Sequence, residues 1–436
     1  MRVRTILFAL LMAGLSVDRG AAQGPPNVRP ASVPGSTLIV TLATFGLGQE
    51  VFERFGHNAL IFQDTLTGQS VAYHWGLFSF EEPGFLFRFL TGDTRYWMGA
   101  EDGMARVDAE RRAGRPITLQ RLNLTPAQVL ALRNFVQRNA LEENKFYRYD
   151  YFRDNCSTRL RDALDQAIGG AIRKASEPVR TDLTYRSESI RLTNGDAPVQ
   201  AGIDIALGRP ADLPLTQWES FFIPMRLRDA IRNVKVAGPN GAQVPLVASE
   251  VMVKLPPTPV PVPETMTVPR LTVRYAVLGL LLAALVVFLR IMMVSRRSAA
   301  WGLALFGAAW SLLSGVIGVI LLLAWLATRH VFWAYNENVL LLSPISLLLA
   351  VLIPAALLSG KAERAVRMLA ALVAAFGLIA LPLAFIPGGQ ASSAIVALLL
   401  PVNIALAWAL ALPRGSGVPM SKSRRMPVAA PTSRAG

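Results

Sequence analysis

The C-terminal part of this 436-residue chain contains five apolar stretches, each long enough to cross a lipid bilayer. They lie at about 273–294, 302–327, 339–359, 368–387 and 393–412. A transmembrane helix needs about 20 predominantly apolar residues. Of the whole chain, 52% of the residues are hydrophobic and only 17% are charged. The sequence therefore predicts an all-α bundle of about five transmembrane helices over residues 271–413, and it excludes a disordered chain or an ordinary soluble protein.

The basic residues between these stretches indicate the orientation of the bundle, because lysine and arginine favour the cytoplasmic side. One side carries eleven of them, namely Arg290, Arg296, Arg297, Lys361, Arg364, Arg367, Arg414, Lys422, Arg424, Arg425 and Arg434. The other side carries only Arg274 and Arg329. We therefore expect a basic cytoplasmic tail at 414–436 and an N-terminal domain outside the cytoplasm.

The same residues account for most of the net charge of +15, a value that would otherwise raise nucleic acid as a partner. Residues 271–436 hold 13 Lys and Arg against 2 Asp and Glu. The excess therefore indicates loops that meet anionic membrane lipids, and we expect no nucleic-acid partner.

The N-terminus has the pattern of a secretory signal peptide. A basic start is followed by a short apolar run from Ile6 to Val17 and a small-residue cleavage site near Ala22. We therefore predict a signal peptide at 1–23, an extracytoplasmic domain at 24–255 and a stiff proline-rich linker at 256–270.

The extracytoplasmic domain has an α+β pattern. Strands rich in β-branched and aromatic residues are predicted at Ser36–Ala43, Phe55–Phe62 and Ser70–Gly76. The second and third would form a hairpin that places His57 and His74 on adjacent strands. Helices are predicted from Thr125 to about Leu141 and from Ser157 to Ile168.

Cys156 is the only cysteine, and it lies where the second of these helices begins. Asp154 or Asn155 is a natural cap, and the amides and dipole of a helix N-terminus favour a thiolate. A cysteine nucleophile also needs a base, and His57 is one of only three histidines in the chain. The pattern is compatible with a Cys156–His57 dyad, but also with a buried structural cysteine. Zinc is disfavoured because paired ligands are missing, and we expect neither a metal nor another cofactor.

Several stretches, in order, resemble the Lnb-type lipoprotein N-acyltransferases of bacteria. The most specific is Asp154-Asn155-Cys156-Ser157-Thr158-Arg159, and the others include Phe55-Gly56-His57-Asn58, Tyr73-His74-Trp75-Gly76, Gly208-Arg209-Pro210-Ala211-Asp212 and Phe222-Ile223-Pro224. The resemblance covers most of residues 36–230 and extends weakly to His330, Asn336, Asn338 and Pro344. The order of histidine and cysteine is also similar to that of the circularly permuted papain-like fold of lecithin:retinol acyltransferases. This implies that Cys156 lies on a helix N-terminus against an antiparallel sheet.

The resemblance implies a function in the bacterial inner membrane, with a phospholipid as acyl donor and a lipoprotein as acceptor. His57 would deprotonate Cys156, which would carry the acyl chain as a thioester and pass it to the N-terminal amine of the lipoprotein. His74 would orient His57, although a structural role for His74 is equally compatible with the sequence. Substrate contacts are expected from Asn155, Arg159, His330, Asn336 and Asn338.

Three other interpretations remain open at this point. Water as the acceptor would give a phospholipase or thioesterase with the same dyad. A papain-like cell-wall peptidase is less attractive, because peptidoglycan hydrolysis needs no multi-span membrane partner. A membrane-tethered binding protein with a structural Cys156 and an ordinary interfacial loop at 329–338 is the non-enzymatic alternative.

Overall fold

The computed structural model describes residues 33–238, 241–256 and 271–413. The predicted signal peptide, most of the proline-rich linker and the basic tail lie outside the described residues. Within these ranges the chain forms an α+β domain followed by an all-helical region, as the sequence predicts.

The α+β domain is built on a seven-stranded sheet in the order β6-β4-β3-β2-β1-β5-β9, with every neighbouring pair antiparallel. Its strands are β1 Leu38–Phe45, β2 His57–Asp64, β3 Ser70–Leu77, β4 Arg95–Asp102, β5 Ile117–Leu122, β6 Phe146–Arg148 and β9 Val247–Val253. A separate two-stranded sheet contains β7 Lys235–Ala237 and β8 Gln243–Pro245. The three strands predicted from the sequence are β1, β2 and β3, each within two residues of its expected start.

Nine helices accompany the sheet in the described part of this domain. They are α1 Phe85–Thr91, α2 Gly103–Arg112, α3 Pro126–Asn139, α4 Cys156–Ala167, α5 Ala171–Ser176, α6 Tyr185–Leu192, α7 Ala197–Ala206, α8 Gln217–Ser220 and α9 Pro224–Ile231. Helices α3 and α4 are the two that the sequence predicts.

Alternation along the central strands divides the core into two parts, because successive side chains of a strand point to opposite faces. Leu42 and Leu60 belong to the cluster that packs under α3 and α4. Their chain neighbours Ala43 and Ala59 pack instead with Val107 of α2 on the other face. Shifting either strand by one residue would exchange these two sets, so burial on both faces fixes the register around the site.

The C-terminal region consists of helices α10 Leu271–Met292, α11 Arg297–Ala327, α12 Ser346–Ser359, α13 Glu363–Leu383 and α14 Ser393–Ala411. Four of the five are long and apolar enough to cross a membrane. The exception is α12, which has 14 residues and corrects the full-length span predicted at 339–359. The first part of that predicted span is a short 3-10 helix at Glu337–Leu340 followed by turns.

This non-helical segment lies against the side of α11 rather than beyond its end. A Cβ on Gly318 would overlap the carbonyl oxygen of Leu342, and Gly318 is nine residues before the end of α11. At 1.5 Å per residue, that is roughly 13 Å along the helix axis. The amide of Asn403 in α14 donates to the carbonyl of Leu341, so this backbone at membrane depth has a protein partner.

Candidate active site

Cys156 is the first residue of α4, and the side chain of Asn155 caps the helix. The Oδ1 atom of Asn155 accepts hydrogen bonds from the amides of Ser157 (2.9 Å) and Thr158 (3.0 Å). The hydroxyl of Thr158 in turn accepts from the amide of Asn155, which completes a capping box. The Nδ2 group of Asn155 donates to the carbonyls of Tyr151 and Phe222. Asn155 therefore has a structural role in this structure, since backbone groups occupy its whole amide.

A glycine brings this helix start against the sheet. Gly76 interrupts the pairing of β3 with β4 and has a φ of +94°, a conformation that L side chains rarely adopt. A Cβ at this position would lie only 3.1 Å from the Cβ of Cys156. The sulfur atom is thus carried by a helix that packs directly on β3, the strand that contains His74.

A second contact ties the helix start to β2, which begins at His57. The amide of Asn58 donates to the hydroxyl of Ser157 (3.2 Å), and that hydroxyl donates to the carbonyl of Phe221. Both side chains are buried. The chain neighbours of Cys156 and His57 are therefore bonded to each other, although no direct hydrogen bond joins Cys156 and His57 themselves among the described residues.

His57 and His74 lie on adjacent strands, as the hairpin prediction requires, and they start a chain of side-chain hydrogen bonds. The Nε2 atom of His57 is 3.0 Å from the Nδ1 atom of His74, and the Nε2 atom of His74 is 2.9 Å from a carboxylate oxygen of Glu101. Glu101 also pairs with Arg106 at 3.4 Å. Glu101 could not be predicted from the sequence, because it lies near the end of β4 with no motif around it.

When both rings are neutral, this series of hydrogen bonds allows one tautomer for each ring. The hydrogen bond from His74 lowers the pKa of the Glu101 carboxyl, so this group is an ionised acceptor at neutral pH. His74 then donates through Nε2 and can only accept at Nδ1, which means that His57 donates through its own Nε2. The remaining nitrogen of His57, Nδ1, keeps its lone pair and can act as a base.

Both members of the dyad are neutral at rest. Burial is the main cause that lowers the pKa of His57 well below 6.5, and His74, Arg106 and Arg115 add to it. Burial also raises the pKa of the Cys156 thiol to about 12, despite the opposing effect of the main-chain amides of Ser157 and Cys156. The helix N-terminus acts in the direction that the sequence indicates, but desolvation has the larger effect on the pKa of the thiol.

Tyrosines surround the thiol on the side of β6. Burial, and next the proximity of Cys156, raise the pKa of Tyr147 and of Tyr149 well above the usual value. Tyr149 stacks on Tyr96 with ring centroids 4.1 Å apart. The hydroxyl of Tyr147 is buried and has no hydrogen-bond partner within the described part of the chain, so it is available to a ligand.

Arg159, one turn along α4, is held in place by its neighbours. It forms two hydrogen bonds with the carboxylate of Asp154, and its guanidinium lies 3.7 Å from the centre of the Tyr147 ring. The predicted substrate contact of Arg159 is compatible with this position, because the side chain remains partly exposed.

The loop 329–338, which we call the docking loop, joins the two domains. Asn336 donates to the carbonyls of Ile205 and Ala206, and Asn338 donates to those of Asp204 and Ile205. These are carbonyls of the last turn of α7, which lack partners within their own helix. Asn336 and Asn338 thus act as C-terminal caps supplied by the other domain, and not as free groups awaiting a substrate.

His330 contacts a second helix end in the same way. Its Nε2 atom is 2.9 Å from the carbonyl oxygen of Phe89 in α1, and the amide of Arg329 donates to the carbonyl of Thr91. Burial lowers the pKa of His330, which favours the neutral ring. The three predicted substrate-binding residues of this loop, His330, Asn336 and Asn338, therefore lie at the domain junction, and the structure brings none of them into the hydrogen-bonded chain of His57.

Among the described residues, no group of three or more His, Cys, Asp or Glu side chains is arranged to hold a metal ion. The arrangement can nevertheless perform acid–base and nucleophilic chemistry. A neutral thiol, a neutral imidazole with one free nitrogen and a carboxylate that fixes the ring tautomers are the parts that a covalent mechanism requires.

Comparison with protein-family models gives two matches in the order found here. Residues 27–188 match the Lnb N-terminal periplasmic domain, and residues 272–412 match the Lnb transmembrane domain. Comparisons with curated proteins and with solved structures gave no match. The two matches together cover about two thirds of the chain and include Cys156, His57, His74 and Glu101. The chain therefore belongs to the Lnb family of membrane proteins that modify lipoproteins, with a periplasmic N-terminal domain and membrane-spanning helices.

Proposed function

We propose that this protein transfers a fatty acyl chain from a membrane phospholipid, through a thioester on Cys156, to the N-terminal amine of a lipoprotein. The observation that carries the proposal is the hydrogen-bonded chain from Glu101 through His74 to His57, which leaves one basic nitrogen of His57 free. Asn58 and Ser157, the chain neighbours of His57 and Cys156, are bonded to each other. A structural cysteine would not need this arrangement.

In the first step, His57 takes the proton of the Cys156 thiol on Nδ1 as the sulfur attacks an ester carbonyl carbon of the phospholipid. The ester C–O bond then breaks, and the proton on His57 passes to the departing oxygen. The products are a lysophospholipid and the Cys156 thioester. Because the thiol is neutral at rest, proton removal has to accompany attack, and this makes the base indispensable.

In the second step, the lipoprotein amine attacks the thioester. His57 accepts a proton from the amine, the C–S bond breaks, and the sulfur takes the proton back. The free energy needed for the amide is available because a thioester is a more reactive acyl donor than an amide.

Two groups support the proposal because they could donate to the oxyanion that forms in each step. The main-chain amide of Cys156 acts directly on its own sulfur, as its effect on the thiol pKa indicates. The Tyr147 hydroxyl is buried close to Cys156 and has no partner among the described residues. We assign both as donors to the oxyanion. One such donor typically lowers the activation free energy by about 3–4 kcal/mol.

The location of the reaction follows from the docking loop. It fixes the periplasmic domain at the end of the bundle where α11 stops, and this position supports an acyl donor drawn from the lipid layer. We propose residence in the bacterial inner membrane with the C-terminus in the cytoplasm, on the basis of the basic loops.

The test is the mass of a diacylated lipoprotein in cells that lack their own N-acylation activity. With the wild-type chain, the lipoprotein should gain one acyl group on its N-terminal amine, and with Cys156→Ala it should not. An unchanged lipoprotein mass despite normal expression would contradict the proposal. Release of free fatty acid without acylated lipoprotein would identify a hydrolase that uses the same dyad.

A further inference from the structure

An exposed apolar surface is formed by α1 and by Phe80, five residues before the helix begins. Leu86, Phe87 and Leu90 of α1 are 67%, 71% and 57% exposed, and Phe80 is 70% exposed. Phe89 is also exposed. We call these five residues the apolar ridge. Five large apolar side chains within eleven residues are unusual on a surface that faces water, and such patches mark contacts with a protein or a membrane.

The position of α1 relative to the transmembrane bundle indicates that the apolar ridge contacts the membrane. The last turn of α1 is bonded to Arg329 and His330, which follow the end of the transmembrane helix α11 at Ala327 by two and three residues. Helix α1 also lies against α11 itself. The ridge is therefore at the depth where α11 leaves the lipid.

Aromatic residues mark the same depth independently. Trp325 near the end of α11 contacts Tyr335 of the docking loop, with ring centroids 5.3 Å apart. His330 stacks on Trp333, at 4.9 Å. Tryptophan and tyrosine collect at the headgroup level of a bilayer, so these three aromatic residues indicate the membrane–water interface.

We propose that α1 is an interfacial helix and that the apolar ridge is inserted into the outer leaflet of the membrane. The occupant of this surface is the acyl region of phospholipids, because a segment at this depth meets lipid on its outer side. The buried Phe85 of α1 stacks on Phe78 with ring centroids 5.7 Å apart, and this contact holds the helix on the domain.

The insertion has a consequence for the site, and this step rests on the proposed function. Phe78 is two residues from Gly76, the position that packs against Cys156. Phe80 of the ridge contacts Phe78, with ring centroids 5.0 Å apart, and this links the ridge to the end of β3, where Gly76 packs against Cys156. Insertion of the ridge would hold Cys156 at the level of the ester bonds of the phospholipid, which lie between headgroup and acyl chain.

The test uses the full chain in nanodiscs of phosphatidylethanolamine and phosphatidylglycerol. In a Cys156→Ala background, which removes the only cysteine, Phe87→Cys and Leu90→Cys carry an environment-sensitive fluorophore. Leu66→Cys, 77% exposed in the turn at the far end of β2, is the matched control in water. Leu313→Cys, on the surface of α11, is the matched control in lipid.

We expect blue-shifted emission at positions 87 and 90, with at least twofold quenching by lipids that carry a nitroxide near the ester end of the acyl chain. Position 66 should emit as in water and resist these lipids. The insertion would be overturned if positions 87 and 90 showed water-like, unquenched emission in discs where nitroxide-labelled lipids do quench position 313. Because the assay contains no nucleophile, it is independent of acyl transfer, and failure of either proposal can be recognised separately.

Discussion

The segment around Cys156 and the docking loop both lie at helix termini, but their side chains are engaged there in opposite ways. At the start of α4, Asn155 caps the helix, and no other side chain in the described part of the protein is hydrogen-bonded to the thiol of Cys156. At the ends of α1 and α7, the docking loop supplies His330, Asn336 and Asn338, and all three are bonded to backbone carbonyls. The start of α4 therefore carries a reactive thiol, whereas the ends of α1 and α7 are hydrogen-bonded to the side chains of the docking loop.

This difference separates a site for chemistry from a site for assembly. The histidines of the first region are bonded to titratable side chains, so protons can be placed along the chain from Glu101 to His57. The polar groups of the docking loop are bonded to carbonyls, which neither give nor take protons. The nature of the partner, and not the type of residue, distinguishes the two regions.

Loss of the base should have the largest effect. We expect His57→Ala to lower the rate of Cys156 acylation by about a thousandfold or more, because the thiol is neutral at rest and general-base catalysis alone contributes about 10²–10⁴. Single-turnover labelling with a phospholipid that carries a tagged acyl chain measures this rate. Labelling of His57→Ala at the wild-type rate would remove His57 as the base.

Loss of the carboxylate at the other end of the chain should have a smaller effect. Glu101→Gln keeps an oxygen that can accept from His74 but removes the negative charge, so we expect a decrease of about ten- to a hundredfold in the acylation rate. Glu142→Gln is the matched control, since this carboxylate is on the surface of the same domain and pairs only with Lys145 among the described residues. Equal rates for the two variants would reduce Glu101 to a structural ion pair.

A substitution in the docking loop should lower the stability of the protein rather than the rate of acylation. Asn338→Ala removes two hydrogen bonds between the docking loop and α7, a loss of about 0.5–1.5 kcal/mol each, while Arg186 and Asn336 still donate to the carbonyls of Asp204 and Ile205. We expect a lower unfolding temperature and faster proteolysis at the domain junction, with little change in the acylation rate of the folded fraction. A variant that is fully stable but has a raised KM for phospholipid would instead support the substrate contact inferred from the sequence.

A change of pH should have the smallest effect on the acylation rate, and it tests whether His57 and Cys156 are neutral at rest. Because the pKa of His57 is lowered, the base stays unprotonated at pH values where an ordinary histidine would be charged. The acylation rate should therefore change little between about pH 6.5 and 8 and should fall only below the usual histidine pKa of about 6.5. A half-maximal rate at or above pH 6.5 would contradict the neutral resting pair.

Much of this architecture could be predicted from the sequence, because local patterns determine it. The β-branched runs gave β1, β2 and β3, and the cap and the Gly169-Gly170 pair bounded α4. Cys156 and His57 could be singled out because cysteine and histidine are rare in this chain.

The remaining features depend on contacts between distant parts of the chain, which no local pattern encodes. Glu101 becomes part of the site only because β4 pairs with β3. The third predicted span is largely apolar, yet its first part is non-helical: α12 begins only after Ser343-Pro344, and Asn336 and Asn338, just before the span, are bonded to α7. The thiol pKa depends on how dry the folded site is, a quantity that a helix N-terminus alone does not determine.

The most direct test of the acyl-carrier role of Cys156 is the intact mass of the purified chain after incubation with phospholipid in the absence of a lipoprotein. The account predicts one added acyl group, sensitive to hydroxylamine at neutral pH, on Cys156 of the wild-type chain and a much smaller amount on His57→Ala. A wild-type chain that transfers acyl groups to a lipoprotein but never carries one on Cys156 would contradict it.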